Sequence, residues 1–297
     1  MGLISFAVER FNTGVVAEVG NRPSMEDTYV IVQDLMIDEC MKVSLYAVLD
    51  GHGGDSCAHF MRKRLANEIR IQLNDSNLGI RRHPFGNINQ CITLALKRAF
   101  QIIDEAYFNE MRDYSYKCGA AGCVVLMIGN RIYTANVGDS RAVLCRNGQA
   151  MNLTYDHKTS RPDEVERIKL AGGFISMGRV MNRLAITRAF GDFEFKTIQV
   201  DGQQHRRDYI TSDPEVRMLE LDPFTDEFFV MGSDGLYDKF TSQEVISFIK
   251  NKLASMPVMD QDLYFAAREI AIECIEGKKV KDNITVLVIG LNRGAKF

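Results

Sequence analysis

The sequence predicts an α+β fold with helices packed over antiparallel sheets. Three observations lead there. Strand-like and helix-like stretches segregate instead of alternating, and Gly-Asn and Asn-Gly pairs stand where tight hairpins need positive φ. The apolar spacing also switches between short continuous runs and a three- and four-residue repeat. No internal repeat or low-complexity linker interrupts the chain, so one domain over residues 1–297 is expected.

Taken in order, Val43 to Leu49 is a short apolar run that stops at Asp50-Gly51, the pattern of a buried strand. Ala58 to Leu73 and Asn89 to Met111 carry apolar residues at helical spacing, among them Leu94, Ala95, Ala99, Ile102, Ile103 and Ala106. Gly122 to Ile128, Arg131 to Val137 and Arg141 to Cys145 read as consecutive strands. Gly129-Asn130 joins the first two and Asn147-Gly148 turns the third, which predicts an antiparallel meander. Lys196 to Ser212, with His205, Arg206 and Arg207, is hydrophilic and is expected to be an exposed loop. Glu227 to Met231 and Asn283 to Ile289 supply two more strands. Between them, Thr241 and Glu244 form a capping box that opens a helix through Val245, Ile246, Phe248 and Ile249. A second helix covers Asp262 to Ile275.

Composition narrows the function classes. The 297 residues are 46% hydrophobic and 25% charged, with 23 Gly and 6 Pro, which excludes a disordered or collagenous chain. Lys+Arg number 36 against 39 Asp+Glu, a formal charge of −3 that gives no basis for binding nucleic acid or an anionic membrane. Seven cysteines without a CxxC pair predict free thiols in a reducing compartment, hence the cytoplasm and/or the nucleus. The start MGLISFAVER lacks the pattern of a signal peptide, and its Gly2 is followed by Phe6 where N-myristoylation wants Ser or Thr. No transmembrane segment is expected, because no apolar run approaches the roughly eighteen residues a span needs.

The position of the carboxylates says more than their number. Glu26 and Asp27 close a charged cluster that begins at Arg22. Asp50 opens DGHGG directly after one apolar run, Asp234 lies in GSDG directly after another, and Asp282 stands directly before a third. Each aspartate therefore sits at the end of a buried strand, where the backbone is fixed and the side chain can reach a cleft. A single Asp-Gly marks a turn. Three strand-end aspartates repel one another unless protonated or bridged by cations. An oxygen-only set suits hard divalent ions such as Mg²⁺ or Mn²⁺. No HExxH and no zinc-spaced cysteines compete for that role.

With those segments the chain resembles the metal-dependent protein serine/threonine phosphatases of the PP2C type (PPM family). The resemblance runs over about 14 to 290, through RPSMED, DGHGG, ANVGDSRAVL, LTYDH, ERIKLAGG, LAITRAFGD, PEV, GSDGLYD and DNITVLV in the family's order. It implies a four-layer α-β-β-α sandwich, two packed antiparallel β-sheets flanked by helices, with a flap over about 157–190. It implies hydrolysis of phosphoserine and phosphothreonine in proteins by a hydroxide bridging two Mg²⁺ or Mn²⁺ ions.

Residue by residue, the resemblance makes Asp50 the bridging metal ligand, with the Gly51 carbonyl on one ion. Asp234 and Asp282 complete the other, and Glu26 and Asp27 bind directly, through water or behind the ligands. Asp139 and Asp238 match a weaker third metal site, Arg22 the phosphate-binding arginine, and His52 the general acid. A guanidinium fork suits two phosphate oxygens, and an imidazole titrates where a leaving alkoxide needs a proton.

The sequence departs from the family at Cys118 to Cys123, where hydroxyl-bearing residues are usual, at Leu49 and at Tyr237; no proposed ligand is lost. The expected partners are phosphorylated proteins in signalling, met by a monomer. The alternative is a catalytically weak phosphoprotein-binding scaffold on the same fold. A cysteine-based tyrosine phosphatase is disfavoured because no cysteine has arginine six residues later, and a kinase because there is no P-loop, HRD or DFG.

Overall fold

Alternation along the strands decides how the layers stack. The computed structural model describes residues 11–37, 42–75, 88–201, 203–256 and 262–291, so Gly2 and Cys40 lie outside the described residues. The chain runs β1 (Thr13–Glu18), β2 (Thr28–Met36), β3 (Lys42–His52), α1 (Ser56–Asn74), α2 (Ile88–Glu110), α3 (Arg112–Ser115), β4 (Gly119–Ile128), β5 (Arg131–Val137), β6 (Arg141–Arg146) and β7 (Gln149–Asn152). It continues with α4 (Pro162–Leu170), β8 (Ile175–Ser176), β9 (Arg179–Val180), β10 (Phe190–Gly191), β11 (Thr197–Val200), β12 (Gln203–Arg206) and β13 (Glu215–Glu220). Last come β14 (Asp226–Gly232), α5 (Asp234–Tyr237), α6 (Ser242–Ala254), α7 (Leu263–Ile272) and β15 (Ile284–Gly290).

Two antiparallel sheets result, one ordered β1-β15-β14-β6-β7 and the other β13-β5-β4-β3-β2, with β10 added beside β4. In β3, Tyr46 and Val48 point between the sheets, while Leu45, Ala47 and Leu49 face α1 and α2. In β14, Phe229 and Met231 meet Tyr46 across the sandwich, while Phe228 and Val230 pack on α6 and α7. Both faces of these strands are therefore apolar, which is why they read as continuous runs. Helices cover the outer faces, giving the four-layer α-β-β-α sandwich. Each fully buried Leu, Val or Phe stabilises it by roughly 1.5–3 kcal/mol relative to exposure.

The capping box forms as expected: the Glu244 N–H donates to Thr241 Oγ1 at 3.3 Å, and the Thr241 N–H donates to Glu244 Oε2 at 2.7 Å. Asp262 caps α7 by accepting the Tyr264 N–H at 2.8 Å. Cys57, Cys91, Cys118, Cys123, Cys145 and Cys274 are all buried and unpaired. No helix among the described residues is long and apolar enough to cross a membrane.

Two expectations fail. The meander breaks after β5, because β6 leaves for the other sheet and pairs with β14 and β7. The three-residue link Gly138 to Ser140 begins at φ +92°, which swings the chain across the sandwich instead of back along the same sheet. The stretch Lys196 to Ser212 is exposed in its middle, as at His205 to Arg207, but is not a plain loop. Lys196, Ile210 and Ser212 are buried, and the part between them folds as the β11–β12 hairpin. Segment 157–190 carries α4 and the β8–β9 hairpin. Its own small core joins Ile168, Val180, Ile186 and Ala189 to Phe195 and Ile210 beyond it.

Candidate metal and phosphate site

The strand ends meet at one cleft, but Asp139, not the expected Asp282, completes the tightest group with Asp50 and Asp234. Asp50 lies near the end of β3, Asp139 in the β5–β6 link, Asp234 at the start of α5 directly after β14, and Asp282 just before β15. Asp50, Asp139 and Asp234 each bring one carboxylate oxygen within 4.8 Å of the others. They line a cleft of about 360 Å³ together with Arg22, Glu26, Gly51, His52 and Asp282, and with Arg179 and Leu184 to Ile186 from the flap segment.

Electrostatics at this spot favour a cation. Burial, then the charges of Asp27, Asp234 and Asp139, push the Asp50 carboxyl well above the ordinary range. Burial, then Asp139 and Asp238, push Asp234 up to about 8, and burial pushes Asp27 up to about 6. Burial and mutual repulsion thus disfavour the charged forms of these carboxyls, and a hard divalent ion bound among them would offset that repulsion. The donors are oxygen only, so the set fits Mg²⁺ or Mn²⁺.

The remaining expected ligands surround that cluster. Asp27 is 4% exposed and accepts the Thr285 hydroxyl at 2.8 Å. Glu26 accepts the Gly54 N–H at 3.1 Å, while its own N–H donates to Asn283 Oδ1 at 2.7 Å. Asp282 pairs with Arg22 at 2.6 Å, so the cationic fork already reaches the cleft. Asp238 is exposed and stands at the rim. Lys158 ties it to the cluster, with Nζ 3.2 Å from Asp238 Oδ1 and 3.3 Å from Asp139 Oδ2.

His52 Nε2 lies 2.7 Å from Asp192 Oδ2. Burial disfavours the imidazolium, but the Asp192 charge and hydrogen bond outweigh it and raise the histidine above its ordinary value. Among the described residues His52 Nδ1 has no hydrogen-bond partner, and the ring lines the cleft. Asp192, Lys158 and Arg179 were not singled out from the sequence. Asp192 ends the LAITRAFGD segment and Lys158 follows LTYDH, but neither segment reveals which distant residue its side chain meets.

The chain is similar to known proteins in sequence and in fold. The sequence profile described as Protein phosphatase 2C matches residues 11–284. Protein phosphatase 1L of Bos taurus is 31% identical over 290 residues, covering 96% of this chain and 74% of that protein. Protein phosphatase 2C homolog 3 of Schizosaccharomyces pombe is 34% identical, and the chain spans 64% of its length. A crystal structure of serine-threonine phosphatase 2C from Toxoplasma gondii superposes with a TM-score of 0.73 at 18% identity, covering 94% of each chain, which shows a shared fold. With a profile match over most of its length and relatives above 30% identity, the chain belongs to the protein phosphatase 2C family of protein serine/threonine phosphatases.

Proposed function

We propose that the chain hydrolyses phosphoserine and phosphothreonine in proteins, using divalent cations held by the aspartate cluster. The observation that carries this reading is the mutual approach of the Asp50, Asp139 and Asp234 carboxylates at the floor of an open cleft. Asp50, the Gly51 carbonyl, Asp234 and Asp282 would hold two Mg²⁺ or Mn²⁺ ions, with Glu26 and Asp27 in support and Asp139 and Asp238 at a third, weaker position. Bound there, such ions supply positive charge to the phosphoryl oxygens and acidify water for an in-line displacement.

The chain's own groups do the rest. Arg22, exposed and hinged on Asp282, turns its fork toward two phosphate oxygens and offsets their charge. His52 keeps its Nε2–H on Asp192, so the proton for the departing serine or threonine oxygen comes from Nδ1. Arg179, from the flap segment, adds a second positive charge to the cleft lining. The buried, unpaired cysteines support a reducing compartment, cytoplasm or nucleus.

The test is hydrolysis of phosphoserine and phosphothreonine peptides during a Mn²⁺ titration. Metal-dependent turnover that disappears in Asp50→Asn is the expected result. Peptide binding without turnover at any Mn²⁺ concentration would refute it and favour a scaffold.

A further inference from the structure

Neither member of a buried ion pair, Asp104 and Lys196, is among the residues that line the cleft. Asp104, on α2, meets Lys196 with Nζ 2.6 Å from Oδ2, and the two side chains are 3% and 2% exposed. A buried pair of this kind is a poor source of stability compared with apolar residues of the same volume, which raises the question of what it holds. Lys196 Nζ also donates to the Ala189 carbonyl at 2.9 Å, and Asp104 Oδ1 accepts the Gly191 N–H at 2.7 Å. The pair therefore clamps the segment 189–191 against α2. On the far side, Phe193 lies under Lys196 Nζ at 4.9 Å and stacks on Phe108 of α2 at 4.5 Å between centroids.

The residue bracketed by these anchors is Asp192, the partner of His52. Its backbone is left-handed at φ +53°, a conformation a non-glycine residue holds only where its surroundings fix it. Its N–H donates to the Cys118 carbonyl at 3.1 Å. The preceding Gly191 has φ +68° and approaches so closely that a Cβ there would lie 2.2 Å from the same carbonyl. Room for the carboxylate comes from Gly119, which stands opposite both His52 and Gly191 in the sheet. A Cβ on Gly119 would lie 2.2 Å from Asp192 Oδ2 and 2.5 Å from His52 Nε2.

We infer that Asp104 and Lys196 are positioning residues for His52, acting by fixing the strap that presents the Asp192 carboxylate to its imidazole. The inference rests on the reading of His52 as the acid. A strap displaced by an ångström breaks the 2.7 Å contact, and the ring then rotates freely. In the intact enzyme the Nε2–H stays on Asp192, the Nδ1 proton passes to the leaving alkoxide as its bond to phosphorus breaks, and neutral imidazole remains.

The test compares Asp104→Asn with wild type on a phosphoserine peptide and on an aryl phosphate whose leaving group barely needs a proton. The peptide kcat should fall about tenfold with KM nearly unchanged, while aryl phosphate turnover stays within about twofold. In a His52→Gln background the same substitution should leave the ratio of the two rates where His52→Gln alone puts it. A slowly exchanging His52 Nε2 proton resonance, present in the Mg²⁺-loaded wild type, should be lost in Asp104→Asn. Should that variant not fold, Lys196→Arg keeps both charges while displacing the pair, and carries the same readouts. Equal slowing of both substrates, a ratio that still falls in the His52→Gln background, or an unaltered Nε2 resonance overturns the positioning role. The resonance needs no turnover. An inert wild-type protein would count against the proposed function and leave the resonance to decide the positioning.

Discussion

Alanine at Gly119 isolates the geometry on which the His52–Asp192 contact depends. The backbone of Gly119 is not left-handed, so alanine is conformationally allowed and only the added methyl matters. That methyl would lie 2.2 Å from Asp192 Oδ2 and 2.5 Å from His52 Nε2, against an ordinary contact near 3.5 Å. More than an ångström of overlap forces the two side chains apart. Asp192, 3% exposed, has no route to solvent. Overpacking costs about 1–3 kcal/mol, and a lost charge-assisted hydrogen bond about 1.5–3 kcal/mol. With some relaxation the sum is roughly 2–5 kcal/mol. Urea unfolding measures the loss directly. Phosphopeptide turnover should fall more than aryl phosphate turnover, because only the former needs the proton. A variant within about 1 kcal/mol of wild type and with an unchanged ratio of rates would refute this picture of the contact.

Two further outcomes test other parts of the molecule. Thr241→Ala removes the hydroxyl of the capping box that starts α6 and should lower stability by about 1 kcal/mol in urea unfolding while leaving turnover unchanged. Glu215, 3.4 Å from His157 and 2.7 Å from Arg161, has its carboxyl lowered to about 2 by those two groups against the opposing effect of burial. Because the folded value lies below the unfolded one, its contribution is complete above about pH 4.5 and is lost as pH falls toward about 2. The stability gap between wild type and Glu215→Gln, at most about 3 kcal/mol near pH 6, should therefore shrink below about pH 4.5 and close only as pH falls through about 2. A gap independent of pH would show that the carboxylate charge is not what stabilises.

Much of this architecture was legible because buried strands leave continuous apolar runs. β3, β4, β5, β6, β14 and β15 were all located that way, and α1 and α2 by their spacing. β1 and β13 were not, because part of each faces solvent and residues such as Glu18 and Arg217 interrupt the pattern. Pairing is a different kind of information. Nothing local to Arg141–Cys145 says that the strand joins β14 some ninety residues later, so hairpin signals on either side suggested a meander.

The site divides in the same way. Aspartates at the ends of apolar runs were visible, and Asp50 and Asp234 do approach each other with Asp139. Asp192 was hidden because its meaning depends on His52, separated from it by 140 positions. Lys196 looked like the start of a solvated loop because a lysine is almost never fully buried unless paired, and its partner Asp104 lies on a distant helix.

Uptake of divalent cations by the aspartate cluster underlies the proposed activity. Equilibrium binding of Mn²⁺, read from the free-ion electron paramagnetic resonance signal, tests it without any assumption about substrate. Wild-type protein should bind about two ions per chain. Asp50→Asn and Asp234→Asn should lose that uptake, and Thr241→Ala should keep it. No saturable uptake by the wild type, or uptake unchanged in both aspartate variants, would contradict the assignment of this cluster as a metal centre.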